Sequence, residues 1–239
     1  MSEPNPNARP PQAFDLAFIT GLEDVTEVLL IRHGQQAFDF AGPVGDAVDP
    51  PLSERGLMQA EALGGWLSTR PIAAIYASPL RRAFQTAAAV AKGQGRPPDS
   101  ITVMNDLREV EIFRDIPQDK TAIEVFGRDL LAGMRRRMMV EKSWDVYPAS
   151  EPSLEFRRRA INAVEAVIAR HPGERVAVVC HGGVINAYIG HVIGSKYDMF
   201  FRPAHTSVSV VAAAEDRRAL HALNDLRHLE TPEGDLRSY

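Results

Sequence analysis

Apolar residues in this chain fall into two kinds of stretch. Some form short unbroken runs, and others recur every three or four positions. "TEVLLIR" (26–32), "IAAIYA" (72–77), "ITVM" (101–104) and "RVAVVC" (175–180) are of the first kind. Such runs predict strands buried on both faces. Between them, "LSERGLMQAEALGGWLSTR" (52–70) places Leu57, Ala60, Leu63 and Leu67 at helical spacing, with Ser53 as its cap. "SPLRRAFQTAAAVAK" (78–92) opens on Ser78 and Pro79, a predicted N-cap and first helical residue. "SLEFRRRAINAVEAVIAR" (153–170) is a long amphipathic helix ending in the turn "HPGE", and "HGGVINAYIGHVIG" (181–194) begins a helix directly behind a strand. "SVSVVAAAE" and "RALHALND" predict two short strands pairing at a sheet edge, at least one of them antiparallel.

Strands alternating with helices predict an α/β fold: a single domain with a mostly parallel sheet and helices on both faces. Residues 107–150 break the rhythm. They hold "REVEIFRDIP", a helix near 119–140 containing "MRRRMM", and "EKSWDVYPASEP". This stretch reads as an excursion, or lid, over one end of the sheet. The domain then spans 25–228, between an N-terminal arm (1–24) and a C-terminal tail (229–239).

Charge narrows the partners. Lys and Arg number 27 against 31 Asp and Glu, for a net −4. No global field therefore recruits nucleic acid or an anionic membrane, and a small-anion site needs local positive charge. No run of about 18 apolar residues appears, so no membrane span is expected. A single cysteine excludes an intrachain disulfide and points to the cytoplasm. The start, "MSEPNPNARPPQAF", has neither secretory nor transit-peptide character. The arm or an edge strand offers a means of pairing two subunits as a homodimer.

Candidate chemistry collects at the carboxyl ends of the predicted strands, where open α/β sheets bind ligands. Arg32 and His33 end the first strand, and Ser78 to Arg82 follow the second. Arg108, Glu109 and Glu111 follow the third, and His181, Gly182 and Gly183 end the fourth. The set suits a phosphoryl group. Guanidinium forks grip phosphate oxygens, and N–H groups at a helix start add partial positive charge. A neutral imidazole can attack phosphorus, and a protonated carboxyl can supply the leaving alcohol's proton. No metal or cofactor is required.

"LLIRHGQQ", "PLSERGLMQA", "YASPLRRAFQTA", "LREVEI" and "VVCHGGVINA", in this order and spacing, resemble the histidine phosphatase superfamily in its phosphoglycerate mutase-like branch. The resemblance covers residues 26 to about 225. It implies a phosphoglycerate mutase-like fold and a small phosphorylated substrate. By it, His33 is the phosphorylated nucleophile, Arg32 and Arg82 are phosphate ligands, His181 is the second histidine and Glu109 the proton donor. Gly182, Gly183, Gln36 and Asp39 are further candidates for substrate binding. Arg81 rivals Arg82, but about 100° of helix rotation separates neighbours and only one should aim inward. Glu111 rivals Glu109, because alternate residues of an extended segment share a face.

The implied activity is a metal-independent phosphomonoesterase. One alternative is a mutase that passes the phosphoryl group to a second phosphoglycerate. Gln35, Gln36, Ala37, Phe38 and Asp39 depart from the mutase pattern, where Glu, Ser and later Asn are usual, and "LREVEIFRD" lacks the glycine that usually follows the acid. The other alternative, a non-catalytic phosphate-ligand binder, would not keep all of the reactive groups. Among the remaining residues, Cys180 is read as core, because neighbouring strand residues face opposite sides. His171, His191, His221 and His228 are read as structural or surface, and His205 as surface. The runs Arg135–Arg137 and Arg157–Arg159 are read as solvated helix faces.

Overall fold

The computed structural model describes residues 10–37, 42–231 and 234–239. The first half contains α1 (Ala13–Phe18), β1 (Thr26–Arg32), α2 (Glu54–Leu67), β2 (Ala74–Ala77), α3 (Arg81–Gly93) and β3 (Thr102–Val103). The second contains α4 (Ala122–Glu141), α5 (Ser153–Arg170), β4 (Arg175–Cys180), α6 (Gly182–Ile193), β5 (Val208–Ala214) and β6 (Arg217–Asp225). The two-residue strands β7 (Glu230–Thr231) and β8 (Gly234–Asp235) follow.

Six strands form one sheet in the order β3-β2-β4-β1-β5-β6. β3, β2, β4 and β1 are parallel, while β5 pairs antiparallel with both β1 and β6. Side chains alternate across the strands, and each set has its own helices. Val28, Leu30, Val176 and Val178 pack with residues of α5 and α6. Leu29, Ile31, Ala177 and Val179 pack with residues of α2 and α3. The continuous apolar runs are thus explained by helices on both sides.

Ser53 caps α2 as expected, its hydroxyl accepting the Gly56 N–H at 3.1 Å. Gly56 is forced by the close approach of the next loop, since a Cβ there would lie 2.0 Å from the Gln35 carbonyl oxygen. Leu57 is a correction. It is 51% exposed, while Ala60, Leu63 and Leu67 lie in the buried stripe with Gly56, Gln59 and Gly64. Ser78 is a second correction. α3 starts at Arg81 with Leu80 as N-cap, and the Ser78 hydroxyl is engaged by a histidine instead.

α4 starts in a capping box between Thr121 and Glu124 and is broken at Gly127, where φ is 75°. The excursion leans on the loop after β1 through Val44 N–H to Lys120 O at 2.9 Å and Gly45 N–H to Gln118 O at 2.9 Å. The C-terminal residues lie against α2. Arg55 donates to the carbonyls of Asp235, Leu236 and Arg237. Among the described residues no helix is long and apolar enough to cross a membrane.

Candidate active site

β1 and β4 are adjacent and in register, Arg32 opposite Cys180. The next residue of each strand is a histidine, so the two imidazoles leave the sheet side by side. The His33 N–H donates to Cys180 O at 3.0 Å, and the rings of His33 and His181 have centroids 5.1 Å apart. Alternation turns Cys180 into the α5/α6 core, as expected, where burial pushes its thiol pKa up.

His33 is buried, and its Nδ1 lies 2.7 Å from its neighbour's carbonyl, Gly34 O. A carbonyl only accepts, so Nδ1 carries the proton and Nε2 keeps its lone pair. Arg82 Nε donates to that Nε2 at 3.3 Å. Burial first, then the cost of a second proton beside the His181 ring and the positive field of Arg82 and Arg32, holds the His33 pKa well below the ordinary imidazole value. The ring is neutral, as a nucleophile must be.

His181 is fully buried, with Nε2 2.8 Å from the Ser78 hydroxyl. Ser78 Oγ accepts the Leu80 N–H at 3.3 Å, and among the described residues its own proton has no acceptor in reach other than this ring nitrogen. That leaves His181 Nδ1 as the protonated nitrogen, and it is buried without a hydrogen-bond partner. Arg32 Nη1 is tied to the Pro203 carbonyl, while its Nε is likewise buried and unpartnered. Burial lowers the Arg32 pKa to about 10, which leaves it charged at neutral pH. Two unsatisfied donors beside an uncharged nucleophile form an anion cradle.

The structure brings Glu109 to this cradle. Its Oε2 accepts the Gly183 N–H at 3.1 Å and its Oε1 accepts its neighbour's N–H, Val110, at 3.1 Å. Burial outweighs these bonds and the arginines, and raises the carboxyl's pKa. The Gly183 N–H is therefore taken up by the carboxyl. A Cβ at Gly183 would stand 2.2 Å from Glu109 Oε1, so only glycine admits the acid at this distance. At Gly182, whose predicted role was anion binding, a Cβ would lie 3.9 Å from Arg32 Nε.

The rivals separate. Glu111 turns away to Arg108, at 3.1 Å, and Arg81 is exposed, whereas Arg82 is buried against His33. Gln36 bridges to Leu52 and buries an unpartnered Oε1. Asp39 lies outside the described residues. Arg135, Arg136 and Arg137 are exposed, and Arg137 pairs with Glu141 at 2.7 Å.

Three residues expected at the surface are not solvated: Arg157, 23% exposed and paired with Asp198 at 3.5 Å, and two beside the site, Arg159 and His205. Arg159 is 16% exposed, not solvated. Its guanidinium grips both Glu151 oxygens, at 2.6 and 2.7 Å, and donates to the carbonyls of Asp106, Arg108 and Glu109. It thereby holds the loop that aims Glu109. A signal existed, because Arg159 follows buried Phe156 by three and precedes buried Ala163 by four, along the buried stripe of α5. His205 is buried as well, its ring centroid 5.9 Å from that of His33.

The sequence matches the histidine phosphatase superfamily (branch 1) over residues 28–226. The chain belongs to that superfamily. A metal-independent phosphoserine phosphatase of Arabidopsis thaliana is 29% identical over 223 residues, spanning 87% of this chain and 85% of that protein. Phosphoserine phosphatase 1 of Hydrogenobacter thermophilus is 28% identical over 223 residues, spanning 86% and 95%. The solved structure of Bacillus stearothermophilus YhfR superposes with a TM-score of 0.71 at 28% identity, over 86% of this chain and 100% of that one. As a histidine phosphatase with phosphatases for relatives, the chain is a phosphomonoesterase, and the mutase alternative has less support.

Proposed function

We propose that this phosphatase hydrolyses small phosphorylated metabolites without a metal, through a phosphohistidine on His33. One observation carries the reading. The Gly34 carbonyl fixes the His33 tautomer, so an uncharged Nε2 lone pair faces Arg82. A bound phosphate draws Arg82 off that nitrogen and onto its oxygens, which exposes the nucleophile as substrate arrives.

Nε2 then attacks phosphorus in line with the ester oxygen. The P–O bond breaks, and the departing oxygen takes the Glu109 proton to leave as the alcohol. Phosphorylated at Nε2 and protonated at Nδ1, the ring becomes cationic, and Gly34 O accepts that stronger donor. Water next attacks phosphorus while Glu109 takes its proton. The P–N bond breaks, and His33 and inorganic phosphate are released. Arg32, Arg82 and the His181 Nδ1–H steady the equatorial oxygens in both steps.

The relatives named phosphoserine phosphatases make O-phosphoserine the first substrate to try. The lone, buried, unpaired cysteine fits a cytoplasmic home. The test is phosphate release from a panel of phosphomonoesters by wild type and by His33→Ala in the presence of a chelator. The reading expects turnover by wild type alone. Equal turnover by His33→Ala, or none by either protein on any ester, would refute it.

A further inference from the structure

Resting on that reading of the site, we propose that His205 is a third imidazole of the catalytic cradle, donating its Nε2–H to the phosphoryl group. We assign Ser238, near the end of the chain, as the positioning residue that holds it there. The loop before β5 brings His205 against His33, the two rings tilted by 48°. The His205 N–H donates to Ser238 O at 2.9 Å, and its Nδ1 lies 2.8 Å from Ser238 Oγ. Among the described residues no hydrogen bond is made by Nε2.

The proton's place follows along a chain of bonds. Gln59 is fully buried, and its Oε1 accepts the Gln35 N–H at 2.9 Å. This fixes its amide, so Nε2 of Gln59 donates both to Leu236 O at 2.7 Å and to Ser238 Oγ at 2.9 Å. That bond takes one lone pair of Ser238 Oγ, and among the described residues the hydroxyl proton has no acceptor in reach other than His205 Nδ1, so Ser238 donates to it. Burial, with Arg32 and Arg202 nearby, lowers the His205 pKa to about 3, so the ring is neutral. Its one proton therefore resides on Nε2.

Backbone geometry supports a working role. Thr206 has φ of 56°, a left-handed conformation that a β-branched residue rarely adopts. It is held there by its N–H to His33 O at 3.2 Å and by its hydroxyl to His205 O at 2.8 Å. Strain of this kind persists where the surroundings over-determine it, which is common at reactive sites. A histidine that merely filled the core would need neither the strain nor a relay ending at the nucleophile's own loop.

The experiment combines kinetics with nitrogen-15 NMR of the imidazoles. His205→Ala should lower kcat by about 10²-fold and weaken vanadate inhibition in parallel, as loss of one oxyanion donor does. His205→Gln, which keeps an N–H donor, should recover part of both. Ser238→Ala should cost about tenfold in kcat through misplacement alone, with Ser238→Thr restoring it. In wild type, His205 should resonate as the Nε2–H tautomer and shift on adding vanadate, while Ser238→Ala should give a tautomer mixture. A folded His205→Ala with wild-type kcat and vanadate affinity overturns the proposal. So does a His205 resonance indifferent to vanadate, even with activity intact. A wild-type protein inert toward every phosphomonoester would instead overturn the reading of the site beneath it.

Discussion

His33 and His181 are placed by adjacent parallel strands in register, with backbone hydrogen bonds fixing both. Glu109 is placed by different means. It rides an irregular segment after a two-residue strand, held by one arginine that reaches across from α5 to three carbonyls and a carboxylate. The first wall of the site is stiff by secondary structure, and the second depends on a few side chains. Nucleophile geometry should therefore survive many changes in sequence, whereas acid geometry should be sensitive to single residues distant from the phosphate.

The largest effect on the second wall comes from the acid itself. Glu109→Gln should lower kcat by about 10²- to 10⁴-fold toward esters with poor leaving groups. The pH profile gives the sign. A raised pKa keeps the carboxyl protonated at the start of the cycle, so activity falls as pH rises through that pKa. The alkaline limb should vanish in the variant, and a limb that persists would place the acid elsewhere. The acidic limb should not follow the ordinary imidazole value, because both buried histidines are already neutral there.

Arg159→Ala attacks the support and leaves the chemistry untouched. Kinetics should show kcat reduced by about tenfold to 10²-fold through a displaced Glu109. Denaturant titration should show a loss of about 3 kcal/mol, since Glu151 is left buried and unpaired. Replacing the pair by Arg159→Met with Glu151→Leu should recover stability but not kcat. If both return together, the arginine has no part in aiming the acid.

A smaller effect concerns the floor beneath the histidine wall. His228 is buried between Trp66 and the Thr206 hydroxyl, and burial lowers its pKa to about 4. An imidazole depressed on folding binds fewer protons in the folded than in the unfolded state between that value and about 6.5. Stability is then full above about pH 6.5 and falls as pH drops toward 4, by at most about 1.4 kcal/mol per unit from this group. Thermal melts from pH 7.5 to 4.5 should show a shallower decline for His228→Gln than for wild type. Identical slopes would remove His228 from the acid response.

The contrast between the walls also explains what could be read in advance. β1, α5 and β4 have the boundaries their patterns predict, because burial on two faces or one stripe imposes an unambiguous period. The polar residues directly behind those strands inherit that clarity, and His33, Arg32 and His181 meet as expected. Ser78 escaped because a serine before proline looks like a cap whatever its hydroxyl does. Arg159 was obscured by two neighbouring arginines, although its phase along the helix marks it as inward-facing. His205 had no local signal, because what holds it is a serine 33 positions later. Contacts made between loops, side chain to backbone, leave no periodic trace in a sequence.

Phosphoryl transfer to His33 Nε2 can be caught chemically. The enzyme is mixed with a phosphorus-32-labelled ester, quenched in alkali within milliseconds, digested and mapped. A phosphoramidate that survives alkali, decays in acid and lies on Nε2 of His33, absent from His33→Ala, is the predicted result. Turnover with no label on protein, or label on any other residue or on Nδ1, would rule out His33 Nε2 as the phosphoryl carrier.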